Sequence, residues 1–178
     1  MELTDGEATY CRSIAEKDAR TREFFARCSL PQPPEAQSWY LYLSTIKLIQ
    51  GNLSNSLSFV ATLLAKEFLM TRYGVSRFDA AAKAQGAAGL DIDVLTTSGD
   101  RIVGEVKTVS PYGAGDFGAA QKREFEKDIA KLQSVAANLR FLFVTEDRTF
   151  AILTGPKYAS KVRGLRVVDL VLGRERAA

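Results

Sequence analysis

Apolar and polar residues alternate along the chain with a period that changes several times, and each change marks an element. From Asp5 to about Arg27 charged residues recur at helical spacing, with Thr4 or Asp5 placed to cap the first turn. Pro31-Gln32-Pro33-Pro34 ends that helix, and Trp39 to Gln50 forms a second, more apolar one that Gly51 stops. A third helix runs from Leu53 or Ser54 to Tyr73, ahead of Gly74. The period then shortens toward two: a short strand near Val75 to Phe78, a loop rich in Ala and Gly, and a strand-turn-strand between Gly89 and Thr108. Beyond it the pattern predicts a helix from about Gly118 to Asn138, strands at Arg140 to Thr145 and Phe150 to Leu153, a short helix near Tyr158 and a last strand from Leu165 to Leu172. That order implies an α/β fold, a mixed central sheet flanked by helices. No repeat or long linker divides it, so residues 51–178 form one compact core and residues 1–50 an N-terminal helical extension.

The strand-turn-strand concentrates charge. Gly89-Leu90-Asp91-Ile92-Asp93-Val94-Leu95 is followed by a turn, Thr96-Thr97-Ser98-Gly99-Asp100-Arg101, and then by Ile102-Val103-Gly104-Glu105-Val106-Lys107-Thr108. Side chains two apart on a strand share a face. Asp91 and Asp93 therefore project together, as do Glu105 and Lys107, with Ile92, Val94, Val103 and Val106 assigned to the opposite, buried face. Closing the hairpin brings Asp93 beside Glu105, which offers two hard oxygen ligands to a divalent cation, with Lys107 one pleat away to hold or activate a water. The blander alternative is a hairpin with a solvated acidic face.

Composition narrows the chemistry further. The 178 residues are 46% hydrophobic, enough for a real core. There is no histidine, which excludes Ser-His-Asp and Cys-His catalysis and any imidazole-based zinc site. Cys11 and Cys28 alone supply neither a zinc cluster nor a disulfide framework and are expected to be reduced. A metal site must then be built from oxygen, which favours Mg2+ or Mn2+. No apolar run approaches a membrane span and the N-terminus lacks a leader pattern, so no membrane partner and a cytoplasmic location are expected. The net charge of +3 is small, but basic residues cluster at Arg20, Arg22 and Arg27, at Arg72, Arg77 and Lys83, and at Lys122, Arg123, Lys127 and Lys131. Any one cluster is most simply a solvated helix face; together with a metal site they suit a polyanion.

Asp93 followed by Glu105-Val106-Lys107 resembles the signature of the PD-(D/E)xK nuclease superfamily, an Asp on one strand and Glu-x-Lys on the next. The resemblance covers roughly residues 53 to 145. The proline that usually precedes the Asp is absent, so the choice between Asp91 and Asp93 stays open, with Asp93 favoured because the chain reads acid-apolar-Asp before apolar residues. The resemblance implies a restriction-endonuclease-like fold and a Mg2+-dependent DNA endonuclease, in which Mn2+ can substitute, most like a type II restriction enzyme. It implies Asp93 and Glu105 as metal ligands, support from Asp91, the carbonyl of Val106 as a further ligand, and Lys107 positioning or deprotonating the attacking water. Double-stranded DNA is the implied partner, and a palindromic target would imply a homodimer. A repair or junction-resolving nuclease of the same fold, or a DNA-binding module without cleavage, are the alternatives.

Two helical positions join the candidates. Glu67 falls in line with Val60, Leu63, Leu64 and Phe68 at three- and four-residue spacing. It is either a carboxylate delivered to the metal site or a marginal residue paired with Lys66 or Arg72 in solvent. Gln121 extends the apolar line Phe125, Ile129, Leu132 toward the helix start, where an amide could hold a phosphate or water; Lys122 beside it reads as surface charge or a backbone contact. Finally, Gly113-Ala114-Gly115-Asp116-Phe117-Gly118 fits a dinucleotide-binding loop, but the preceding strand carries Glu105 and Lys107, and Pro111 intervenes. It is assigned instead as a flexible lip beside a DNA groove.

Overall fold

A reciprocal cap starts the first helix. Thr4 Oγ1 accepts a hydrogen bond from the Glu7 backbone N–H at 3.2 Å, and Glu7 Oε2 accepts from the Thr4 N–H at 2.9 Å, so two otherwise orphaned donors are satisfied at the head of α1 (Asp5–Arg27). In this computed structural model, which describes residues 1–83, 87–113 and 115–177, α1 is followed by α2 (Ala36–Gln50) and α3 (Leu53–Tyr73). Parts of the Ala- and Gly-rich loop (residues 84–86) and Ala114 of the glycine-rich segment lie outside the described residues.

The chain divides into two compact units, Met1–Leu57 and Ser58–Ala178, a boundary that falls inside α3 and not at residue 50. In the first unit, α1 meets α2 through aromatic rings. Phe24 lies 5.2 Å from Tyr42, Trp39 lies edge-on to Tyr42, and Gln50 Nε2 donates to Thr21 Oγ1 at 2.6 Å. Both cysteines are free.

The second unit is built on a five-stranded sheet in the order β1 (Ile92–Leu95), β2 (Arg101–Lys107), β3 (Leu139–Val144), β4 (Arg166–Asp169), β5 (Arg174–Ala177). The outer pairs, β1 with β2 and β4 with β5, are antiparallel; the inner pairs, β2 with β3 and β3 with β4, are parallel. Parallel neighbours need crossovers. These are α4 (Ala119–Ser134) and α5 (Asp147–Thr154).

Both faces of the sheet are covered. On one, Phe125, Ile129 and Leu132 of α4 and Leu153 of α5 pack on Val103, Leu142, Val144 and Val167. On the other, Ala65, Phe68 and Leu69 of α3 pack on Ile92, Ile102, Phe141, Phe143 and Val168. Val103 therefore shares the face of Glu105 and Lys107 and does not oppose it: with both faces of the sheet covered, β2 places apolar residues on both sides, and alternation does not mark its inner side. Gly104 is the exception that the packing demands. A Cβ there would stand 3.0 Å from Phe143 Cε2 and 3.4 Å from Ile92 Cβ.

Four stretches differ from the sequence expectation. Phe150–Leu153 is helical, as part of α5, because a short apolar run fits either period and Asp147 in the first turn favours a helix start. Near Val75 there is only a single bridge, Val75 to Thr96, and the stretch around Tyr158 forms successive turns. The predicted last strand, Leu165 to Leu172, is shortened to β4, and a turn at Gly173, whose φ is +65°, a conformation that glycine adopts without strain, leads into β5, which the sequence expectation did not include.

Candidate active site

The register of the hairpin decides which aspartate meets the glutamate. Ile92 pairs with Gly104 and Asp93 with Val103, so the position across from Glu105 belongs to Asp91, just before β1 begins. The turn fixes this register: Thr96 N–H donates to Asp100 O, Gly99 N–H to Thr96 O, and Gly99 has a φ of +89°. Asp91 Oδ2 accepts from the Val106 N–H at 2.9 Å, which ties it to the Glu-x-Lys segment. Asp93 is turned to other work. Its two oxygens accept from Arg101 Nε at 2.9 Å and Nη2 at 2.7 Å on the exposed flank of the hairpin, and that bidentate contact holds its carboxyl below the usual range. The expected pairing of Asp93 with Glu105 is thus corrected to Asp91 with Glu105.

Around this pair the crossover helix brings Asp128, which the sequence reading did not single out, and Lys131, which it counted only among the basic residues of a helix face. Asp128 and Lys131 lie one turn apart on α4, beside its buried line. Lys107 Nζ forms a close ion pair with Asp128 Oδ2, and Lys131 Nζ stands 2.6 Å from Glu105 Oε1 and 4.0 Å from Asp128 Oδ1. Lys131 Nζ also donates to the Gly89 carbonyl at 2.9 Å. Only 3% of Glu105 and 5% of Asp128 is exposed, and neither Glu105 Oε1 nor Asp128 Oδ2 receives an aligned hydrogen bond, so the lysines act on them by charge. Burial raises the Glu105 pKa to about 7; the Lys131 ammonium opposes that rise, and the Asp91 and Asp128 charges add to it. Burial works against the charge on Lys131, but Glu105, Asp128 and Asp91 outweigh it and raise its pKa.

Glu67 and Gln121 do not join this cluster. The buried face of α3 is formed by Phe59, Thr62, Ala65, Lys66 and Leu69 with Ala61 and Phe68, and Glu67 lies on its exposed side; Val60, taken as part of the stripe, is also exposed. Gln121 is buried as its spacing implied, but both ends of its amide serve the loop ahead of α4. Nε2 donates to Ser110 O at 2.8 Å, and Oε1 accepts from the Gly118 N–H at 3.1 Å. Asp116 ties the same loop down: it accepts from the Phe117 N–H and Tyr158 Oη and pairs with Lys122 at 2.7 Å and with Lys157, and these lysines hold its carboxyl far below the usual range. The glycine-rich segment is a clipped loop, and Lys122 is one of its clips.

Could this site hold a divalent cation? Among the described residues no three His, Cys, Asp or Glu side chains converge closely enough to bind one by themselves. The donors present nevertheless fit a hard ion in kind: Asp91 beside a buried Glu105 with an oxygen that lacks an aligned donor, where Mg2+ would keep several of its waters. A cation is already favoured there, since an ammonium has taken the place. No helix of the described residues is long and apolar enough to cross a membrane. Comparison with known protein families, curated protein sequences and solved structures returns no match for this chain.

Proposed function

We propose that the chain is a Mg2+-dependent nuclease that hydrolyses DNA phosphodiester bonds, with Asp91 and Glu105 as the carboxylate ligands and Lys107 as the ammonium beside the attacking water. The observation that carries this reading is the convergence of Asp91, Glu105 and Lys107 at the carboxyl end of β2, the end of a parallel strand at which α/β sheets take their ligands. A bound divalent ion would supply neutralisation of the phosphate oxygens and a more acidic water. Asp91, anchored through one oxygen by the Val106 N–H, keeps its other oxygen for an ion, and the carbonyl of Val106 is a further donor by resemblance. Lys107, on release from Asp128, donates to the water or to the developing charge on the phosphate.

An edge of α4 supports a polyanionic substrate. Arg123, Lys127 and Lys131 follow at four-residue spacing, and Arg123 and Lys127 are exposed. Duplex DNA cut at discrete sites by a homodimer is the finer form of the proposal, since one active site cuts one strand. The deciding experiment is incubation of the purified protein with long duplex DNA and Mg2+, with EDTA and Lys107→Ala as controls, followed by sequencing of the ends. Discrete ends mean restriction-type cleavage, and scattered ends mean a repair-type or nonspecific nuclease. A second reading, a DNA-binding module without cleavage, is favoured by the mutual neutralisation of Lys107 with Asp128 and Lys131 with Glu105. Binding without cleavage in either Mg2+ or Mn2+ would support it.

A further inference from the structure

We infer that Lys131 is an internal counter-cation for this site, so that a divalent ion binds at Glu105 only as the Lys131 ammonium withdraws. The inference rests on the metal-site reading above and adds a competitor to it.

Three observations carry it. Lys131 Nζ stands 2.6 Å from Glu105 Oε1, within reach of the place where an ion bound to that oxygen would sit. Glu105 Oε1 and Asp128 Oδ2 are buried without aligned hydrogen bonds, so their compensation comes from ammonium charge and can be taken over by another cation. Lys131 is the more accessible member: a third of its side chain is exposed, against a fifth for Lys107, and its flexible stem leads to the α4 edge that carries Arg123 and Lys127. With Lys131 in place, three carboxylates (Asp91, Glu105, Asp128) face two ammoniums. With it withdrawn, and with the Glu105 proton displaced by the incoming ion, they face Lys107 alone, and the surplus of two negative charges matches a dication. The displaced ammonium is then free to meet an anion along the α4 edge.

Calorimetric titration of Mn2+ into wild type, Lys131→Ala, Lys131→Gln and Lys131→Arg tests this without reference to cleavage. The two neutral variants should bind Mn2+ at least about tenfold more tightly than wild type, and Lys131→Arg, which keeps the charge, should stay near wild type. Thermal melts should show a larger rise on adding Mn2+ for the neutral variants. If a neutral variant fails to fold alone, Mn2+ must restore its fold, and failure to do so sinks the inference. Neutral variants that bind as wild type does, or more weakly, overturn the role of Lys131 and leave the metal site standing. Absence of Mn2+ binding in all four proteins overturns both.

Discussion

Asp91→Asn should lose Mn2+ binding and any cleavage, while Asp93→Asn should keep both near wild type, because Asp91 is tied to Val106 opposite Glu105 and Asp93 is held by Arg101 on the exposed flank. Titration calorimetry on the pair checks this, and Glu67→Leu belongs with the silent changes. The Glu105 carboxyl gives a second prediction, in metal-free buffer. Its pKa is raised from 4.5 to about 7 by burial, so the folded state prefers the protonated form. The sign follows: stability is greatest below the unfolded pKa and falls as pH rises toward 7, by up to about 3 kcal/mol. Denaturant titrations at pH 5 and pH 8 should show that fall, and Glu105→Gln should flatten it. What the sequence discloses at this scale is uneven for a physical reason. Glu-x-Lys is legible because two-residue spacing fixes a face, whereas the choice between Asp91 and Asp93 depends on hairpin register, set by a five-residue turn whose geometry the letters do not state. Helical spacing found Gln121 correctly as buried but not its use. Applied to Asp128, three residues beyond Phe125 and four before Leu132, it would have found the acid that holds Lys107.

Gly104→Val should destabilise the second unit by roughly 1–3 kcal/mol, since its side chain would be driven into the Phe143 ring at a place where even a Cβ is tight. A lowered denaturation midpoint with an unchanged slope would bear this out. The elements themselves were legible where a cap or breaker stood at their ends: Thr4 for α1, Gly51 after α2, Gly74 after α3. They were not legible where the signal was composition alone. Phe150–Leu153 could be strand or helix until the parallel pairing of β3 with β4 demanded a crossover between them. β5 escaped notice because Arg174-Glu175-Arg176 has no apolar face to report; as an edge strand it is charged, which also discourages pairing with another sheet.

For the whole molecule, the basic edge of α4 predicts a measurable electrostatic footprint. Replacing both Arg123 and Lys127 with Ala should weaken DNA binding uniformly across sequences and reduce the slope of log affinity against log salt by about 2, as expected if each meets one phosphate. Fluorescence anisotropy at several salt concentrations measures it, and an unchanged slope would place the DNA elsewhere.

The crossover between β2 and β3 also bears on how the chain assembles. β1 and β2 are joined by a tight turn and can pair within microseconds, whereas β2 meets β3 only after α4 has been carried across, with Ile102 reaching Leu139. Asp91 and Glu105 are therefore expected to be side by side early, before α4 delivers the ammonium of Lys131. In a kinetic analysis, loosening the turn at Gly99 should slow folding, and Lys131→Ala should chiefly quicken unfolding. On this route the nascent hairpin carries Asp91 and Glu105 side by side before Lys131 arrives, and a metal ion present during folding would find them before that lysine does.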